Sequence, residues 1–265
     1  MTEAELLFTH ILNCDKLSLY ENRGCALDKE KLSFVSSVLK RRILAEPIQY
    51  ILGKTEFMGF EFKVTPDVLI PRQETEILVE AVLKQLSAKN ILEIGTGSGC
   101  IAVSLAKLLG DVHITATDIS EKALDIARYN SLSNGVNDKI IFIQSDLFSN
   151  CEPRAMSYEL VISNPPYVTT AEMDNLQREI RYEPRIALDG GRYGLDFYRR
   201  IISEAPNYLK NNGFLILEIG FNQIDALKNL FQNSEDFEII EVVKDYNNID
   251  RVIVARSQAR NLWIN

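Results

Sequence analysis

Two histidines and four scattered cysteines leave this 265-residue chain without a convincing ligand set for zinc or any other metal. Cys14, Cys25, Cys100 and Cys151 include no Cys-x-x-Cys pair and read as reduced thiols of a cytoplasmic protein. Basic charge is scarce too. The 29 Lys and Arg stand against 37 Asp and Glu, a net charge of −8. That balance argues against broad, sequence-blind binding of nucleic acid, which needs many cations against phosphates, although a local basic patch stays open. No uninterrupted apolar run is long enough to cross a bilayer. Glu3 and Glu5 stand where a signal peptide would be basic, and the arginines of a transit peptide are missing. Internal repeats and low-complexity tracts are also absent. The expectation is a cytoplasmic globular protein with no membrane contact.

What is present is ordinary in bulk: 46% hydrophobic and 25% charged residues, enough for one large and one small domain. Residues 1–52 read as a small helical unit that leans on the rest. Leu6, Leu7, Ile11 and Leu12 recur at helical spacing. A second helix is capped by Asp28, with Leu27 and Leu32 placed for a hydrophobic staple. Its expected buried stripe is Leu32, Val35, Leu39 and Ile43, and Pro47 limits its extent. Residues 53–72, punctuated by Gly53, Gly59, Pro66 and Pro71, predict a hairpin or extended connector, since Phe60–Val64 alternates apolar and polar.

Residues 73–265 form the main domain. Ile77, Leu78, Ala81, Val82 and Leu86 mark one more helix. Strand-like runs at Ile91–Ile94, Val112–Thr117, Ile140–Ile143, Leu160–Ser163 and Phe214–Ile219 then alternate with helical patterns, notably at 100–109, 121–133 and 222–231. Such alternation implies an α/β fold, a parallel sheet with helices on both faces. Phe237–Val243 and Arg251–Ala255 are joined by Lys244–Asp250, too short for a crossover helix, so these two strands should pair antiparallel.

Chemistry enters at the strand ends. Gly95-Thr96-Gly97-Ser98-Gly99 follows the first of these strands and opens a helix, where glycines allow a ligand close to the backbone. A dinucleotide fingerprint needs Gly-x-Gly-x-x-Gly, and Cys100 holds its sixth position, so the spacing fits a nucleoside-type ligand without pyrophosphate. A tight strand-to-helix turn is the plainer alternative. Asp118, 21 residues after Gly97, is placed to accept from both hydroxyls of a ribose, or else to cap the helix that Ser120 and Glu121 begin. Asp146 ends the third strand and could take the exocyclic amine of an adenine, with Leu147 or Phe148 packed on the base; a surface loop is equally compatible.

Asn164-Pro165-Pro166-Tyr167, after the fourth strand, is the most telling segment. Two prolines fix two φ angles and remove two N–H donors, and the residue before them is pushed to an extended conformation. The result is a stiff corner offering the Asn164 side-chain oxygen and the Pro165 carbonyl as acceptors, with the Tyr167 ring alongside. A planar –NH2 group has two donors to place, and this corner accepts both. An ordinary strand-ending turn is the alternative for these four residues alone.

In this order, the glycine loop, the two acids and the Asn-Pro-Pro-Tyr corner resemble the class I S-adenosylmethionine-dependent methyltransferases. Within them the chain resembles, from its first helices to its last strand, the bacterial release factor glutamine methyltransferase family. Ile70-Pro71-Arg72-Gln73-Glu74-Thr75-Glu76, Arg181-Tyr182-Glu183-Pro184-Arg185-Ile186-Ala187-Leu188 and Lys244-Asp245-Tyr246…Asp250-Arg251-Val252 carry that narrower likeness. Some members have tryptophan where this chain has Leu147, whose side chain can still cover the base, or whose N–H can bond to it. The resemblance implies a Rossmann-like, seven-stranded, mostly parallel sheet with an antiparallel last strand, plus a small N-terminal helical domain.

It further implies S-adenosylmethionine as cofactor, held by Gly95, Thr96, Gly97, Ser98, Gly99, Asp118, Asp146, Leu147 and Asn164. The substrate would be the Gly-Gly-Gln glutamine of class I peptide chain release factors, gripped by Asn164, Pro165, Pro166 and Tyr167. Asn164, Pro165 and Tyr167 would do the catalytic work, the enzyme would be a monomer, and residues 1–52 would dock the release factor at a second site. Arg72, Glu74, Arg181, Glu183 and Arg185 would either shape the mouth or form structural ion pairs. Three rivals remain: an N6-adenine methyltransferase of DNA or RNA, since an exocyclic amine fits the same corner; a nicotinamide oxidoreductase; and a catalytically silent module that binds a translation factor.

Overall fold

Residues 91–94, 160–163 and 215–218 are buried on both faces of their strands, which forces helices onto both sides of one sheet. The structure, a computed structural model, describes residues 2–21, 24, 26–85, 88–151 and 158–258. Cys25 and Leu86 lie outside the described residues.

The N-terminal unit comprises α1 (Glu3–Leu12), α2 (Lys16–Glu21), α3 (Lys29–Ile43) and α4 (Ile48–Leu52). Thr2 and Glu5 form a capping box on α1, and the Asp28 side chain accepts from the Lys31 N–H to cap α3. Leu7, Val38, Ile48 and Ile51 make its small core. The expected stripe on α3 is a correction: Leu32, Leu39 and Ile43 are 53%, 54% and 81% exposed. α4 and α1 pack on α3, with Leu7, Ile48 and Ile51 gathered around Val38. On the following turns Arg41 pairs with Glu46, and Arg42 reaches Glu3 and Glu179, each at 2.7 Å. The helical period is therefore real, but the chain covers a different face of it. Contacts with the main domain include Arg42–Glu179, the Tyr182 hydroxyl, which donates to the Leu44 carbonyl at 2.9 Å, and Tyr50, which packs in one cluster with Ala123.

Residues 53–72 form a hairpin, β1 (Lys54–Phe57) and β2 (Phe60–Lys63), followed by an irregular stretch. Its two-residue turn, Met58-Gly59, has φ of 51° and 77°, the pair of positive values that matches the twist of the strands.

The main domain runs α5 (Gln73–Gln85), β3 (Asn90–Ile94), α6 (Cys100–Leu109), β4 (His113–Asp118), α7 (Glu121–Ser133), β5 (Ile140–Gln144) and β6 (Tyr158–Ser163). It continues through α8 (Asp196–Glu204), β7 (Leu209–Glu218), α9 (Ile224–Ser234), β8 (Phe237–Lys244) and β9 (Asp250–Ser257). The seven-stranded sheet has the order β5-β4-β3-β6-β7-β9-β8. Only β9 runs against the rest, lying between β7 and β8 as their antiparallel partner. Alternation along β3 shows the two layers: Ile91 joins the core under α5 and α6, and Leu92 joins the core under α8 and α9. The chain winds outward from β3 to β5, then returns to place β6 on the other side of β3. That reversal opens a crevice at the C-terminal ends of β3 and β6, where α/β sheets place ligands.

Candidate active site

A cavity of about 260 Å³ lies at this crevice. It brings together Gly95, Gly97, Asp118, Asp146, Leu147 and the Asn164-Pro165-Pro166 segment. These come from the ends of four strands.

Gly95 and Gly97, with φ of 73° and 55°, place their backbone along the cavity. Thr96, Ser98 and Gly99 do not line it. The Thr96 hydroxyl donates to Glu93 Oε2 at 2.8 Å, and the Ser98 carbonyl accepts from Asn130 Nδ2 at 2.8 Å. Gly99 begins α6, where an added Cβ would stand 3.0 Å from that of Ala127. These three residues hold the loop from behind. Glu93 beneath it is fully buried, and burial pushes its carboxyl up to about 8.

Asp118 ends β4 and accepts two backbone N–H groups, from Gly97 at 2.8 Å on Oδ2 and from Ser120 at 2.9 Å on Oδ1. Ser120, not Asp118, caps α7 by accepting from the Ala123 N–H. Partial burial raises the Asp118 carboxyl above its usual range. Asp146 is half-exposed and pairs with Arg200 of α8 at 3.0 Å. Leu147 adopts φ of 50° and lines the cavity, whereas Phe148 turns into the core and stacks on Tyr208 at 4.7 Å. Of the two side chains considered for the base, Leu147 is the one that faces the cavity.

At the corner, Asn164 Nδ2 donates to the buried Thr75 hydroxyl at 3.1 Å, so its side-chain oxygen points the other way. Tyr167 does not line this cavity. Its ring packs against the core under α8 and α9 from behind the corner, and burial raises its phenol above the usual range. Its carbonyl accepts from Gln223 Nε2 at 3.0 Å, while Gln223 Oε1 accepts from the Gly220 N–H at 2.9 Å. Glycine keeps the space behind the prolines clear: a Cβ on Gly190 would meet the Pro166 carbonyl at 2.6 Å.

The charged segments divide by role. Arg72 pairs with Glu183, whose buried carboxyl also accepts from the Ile70 N–H at 3.4 Å. Arg181 caps carbonyls of its own loop, at Leu176 and Asp174, and Arg185 pairs with Asp189 at 3.1 Å. They tie loops around the mouth. His10 stacks on Phe34 and His113 opens β4, so neither imidazole is at the corner.

Sequence reasoning passes over the second wall of the cavity. Asp67, Val68 and Leu69 of the connector and Phe197 and Arg200 of α8 all line it. No periodicity or spacing marks them, because each reaches the cavity through a chain turn rather than a motif.

Comparison with known proteins agrees with this geometry. Residues 72–247 match the family described as Methyltransferase small domain, and residues 1–53 match the PrmC N-terminal domain. The release factor glutamine methyltransferase of Geobacter sulfurreducens is 41% identical over 257 residues, covering 96% of this chain and 88% of that protein. Its counterpart in Thermodesulfovibrio yellowstonii is 42% identical, over 95% of this chain and 91% of its own length. A methyltransferase structure from Pyrococcus furiosus superposes with a TM-score of 0.58 at 18% identity, covering 84% of this chain and 100% of that one, and shows the shared fold. The chain belongs to the release factor glutamine methyltransferase family of class I S-adenosylmethionine-dependent methyltransferases.

Proposed function

We propose that the chain transfers the methyl group of S-adenosylmethionine to the side-chain amide nitrogen (N5) of the glutamine in the Gly-Gly-Gln motif of class I peptide chain release factors. One observation carries this: a rigid acceptor corner, with the Asn164 amide turned by Thr75, stands on the lip of a nucleoside-sized cavity. Relatives that match nearly the whole chain are release factor glutamine methyltransferases.

The residues present fit the cofactor. A Cβ on Gly95 or Gly97 would meet no atom within 4 Å, so both positions leave open space for a ligand against the backbone. Asp118 offers carboxylate oxygens to the ribose hydroxyls, Asp146 an acceptor to the adenine amine, and Leu147 an apolar cover for the base. When bound, S-adenosylmethionine supplies an electrophilic methyl group.

Asn164 Oδ1 and the Pro165 carbonyl hold the two N–H groups of the glutamine amide, whose lone pair is otherwise delocalised into its own carbonyl. Orienting that nitrogen in line is a positional gain, up to roughly 7–11 kcal/mol in ideal cases. As the nitrogen gains positive charge its N–H groups become stronger donors. The two acceptors then bind the transition state more tightly than the ground state. Pro166 stiffens the corner and Tyr167 closes it. A proton on the charged nitrogen is acidic enough to leave without a dedicated base.

The test is to incubate labelled cofactor with each class I release factor and with a Gly-Gly-Glu variant. Label should reach the glutamine of the native motif and not the variant. Transfer to a duplex oligonucleotide, with none to a release factor, would reverse the assignment to an adenine amine. On this proposal the enzyme acts as a monomer in the cytoplasm, checked by light scattering and fractionation. Its N-terminal helices give the release factor a second foothold.

A further inference from the structure

Glu218 is a buried carboxyl that the mechanism above does not use. It ends β7, and the register pairs Ser163 of β6 with Leu217, so Asn164 and Glu218 leave adjacent parallel strands side by side. Thr75, near the start of α5, completes the group and is itself buried.

The contact between Asn164 Nδ2 and the Thr75 hydroxyl, at 3.1 Å, turns the amide oxygen outward but does not by itself hold it there. A hydroxyl accepts or donates equally well, so a flipped Asn164 would simply take a proton from Thr75 on its oxygen. Such a flip would present –NH2 to the –NH2 of the substrate, donor against donor, and the corner would cease to bind. Something must give Thr75 a direction.

We propose that Glu218, acting through Thr75, is a positioning residue that fixes which end of the Asn164 amide faces the substrate. The idea rests on Asn164 accepting from the substrate amide. An ionised carboxylate only accepts. Thr75 has one O–H to donate, and the neighbouring Glu218 carboxylate would accept from it. The Thr75 oxygen is then left to accept from Asn164 Nδ2, which sends Asn164 Oδ1 outward beside the Pro165 carbonyl. The Thr75 and Asn164 side chains beside it both favour the charged form of Glu218, whose buried Oε2 has no hydrogen-bond partner among the described residues. Polarity thus runs one way along Asn164, Thr75 and Glu218.

Burial pushes the Glu218 carboxyl up to about 7. Arg251 of β9 favours the charged form, and Glu74 of α5 opposes it. Tyr167 behind the corner, Tyr198 of α8 and Cys100 of α6 also feel its charge, and the Tyr198 hydroxyl donates to the Glu218 carbonyl at 2.9 Å. Asp245 holds Arg251 in turn at 2.9 Å, and through that pair the Lys244–Val252 segment keeps a cation facing Glu218. Below its pKa, a protonated Glu218 can donate to Thr75, and the chain of polarity loses its direction. Turnover should therefore rise as pH increases through about 7.

The experiment measures kcat and KM for a release factor, and cofactor affinity by calorimetry, from about pH 6 to about pH 9. It compares the wild type with Glu218→Gln, Thr75→Val, Thr75→Ser and Asn164→Ala. Glu218→Gln and Thr75→Val should lose about tenfold or more in kcat, with cofactor affinity held within about threefold. Thr75→Ser should recover most of what Thr75→Val loses, and Glu218→Gln should flatten the rise through neutral pH. Wild-type kcat in Thr75→Val, or a wild-type profile flat across neutral pH, would overturn the proposal. Both hold even if Glu218→Gln does not fold. An active Asn164→Ala would instead sink the corner itself, so the two failures are distinguishable.

Discussion

The Tyr50 hydroxyl donates to the Val68 carbonyl at 2.6 Å, joining the last N-terminal helix to the wall of the cofactor cavity. Both residues are buried. Tyr50→Phe leaves a buried carbonyl without a partner, which costs roughly 1–3 kcal/mol. The expected outcome is a lower Tm together with cofactor binding weakened by a few fold. Unchanged values for both would mean that the helices do not brace the cavity.

Asp118 organises the glycine loop and also lines the cavity. Asp118→Asn keeps the volume and one acceptor but removes the charge and one acceptor oxygen. Cofactor Kd should rise by about tenfold or more, and kcat at saturating cofactor should stay within about threefold. Calorimetry and steady-state kinetics separate the two. A fall in kcat with unchanged Kd would assign Asp118 to the reacting end.

Gly190 lies against the corner, with its would-be Cβ 2.7 Å from the Tyr167 Cα. In Gly190→Ala the backbone must give way, and the backbone it meets is that of Pro166 and Tyr167, which carries the acceptor corner. The variant should bind cofactor normally and lose about a hundredfold in kcat, since a misplacement of about 1 Å costs that much. Retained turnover would show that the corner tolerates displacement.

Glu93 offers a stability test with a defined sign. Its folded pKa of about 8 lies above the ordinary 4.5, so between those values the folded state binds more protons than the unfolded one. Stability is full below the unfolded value and falls as pH rises through the folded one. Denaturant titrations should show a loss on the order of a few kcal/mol between about pH 5 and about pH 9. Glu93→Gln removes this ionisation and should flatten the slope. An equal slope in both proteins would place the titration elsewhere.

Much of this is legible in the sequence, and the reasons differ by element. Ile91-Leu92-Glu93-Ile94 reads as a strand because a parallel strand buried on both faces must be apolar almost throughout. The corner is legible because proline geometry is local: Asn164 to Tyr167 need no partner to be stiff. Asp118 is found by its distance from Gly97, which the βαβ unit sets. The buried face of α3 is not legible, because spacing reveals an amphipathic helix but not which side will find cover, and here Val38 does. Gln223 to Tyr167 and Arg200 to Asp146 are invisible for another reason. Single polar side chains that meet across a fold leave no period in the chain.

The place of β9 ties the site to the far margin of the sheet. Glu218 lies opposite Val252, so β9, held between β7 and β8, is the strand that covers it. Arg251, which favours the charged form of Glu218, sits on that same strand. The glycine loop and the proline corner follow β3 and β6, on the other side of β7. A substitution that loosens β9 should therefore reach the reacting end through Glu218 and leave the loop and the corner standing.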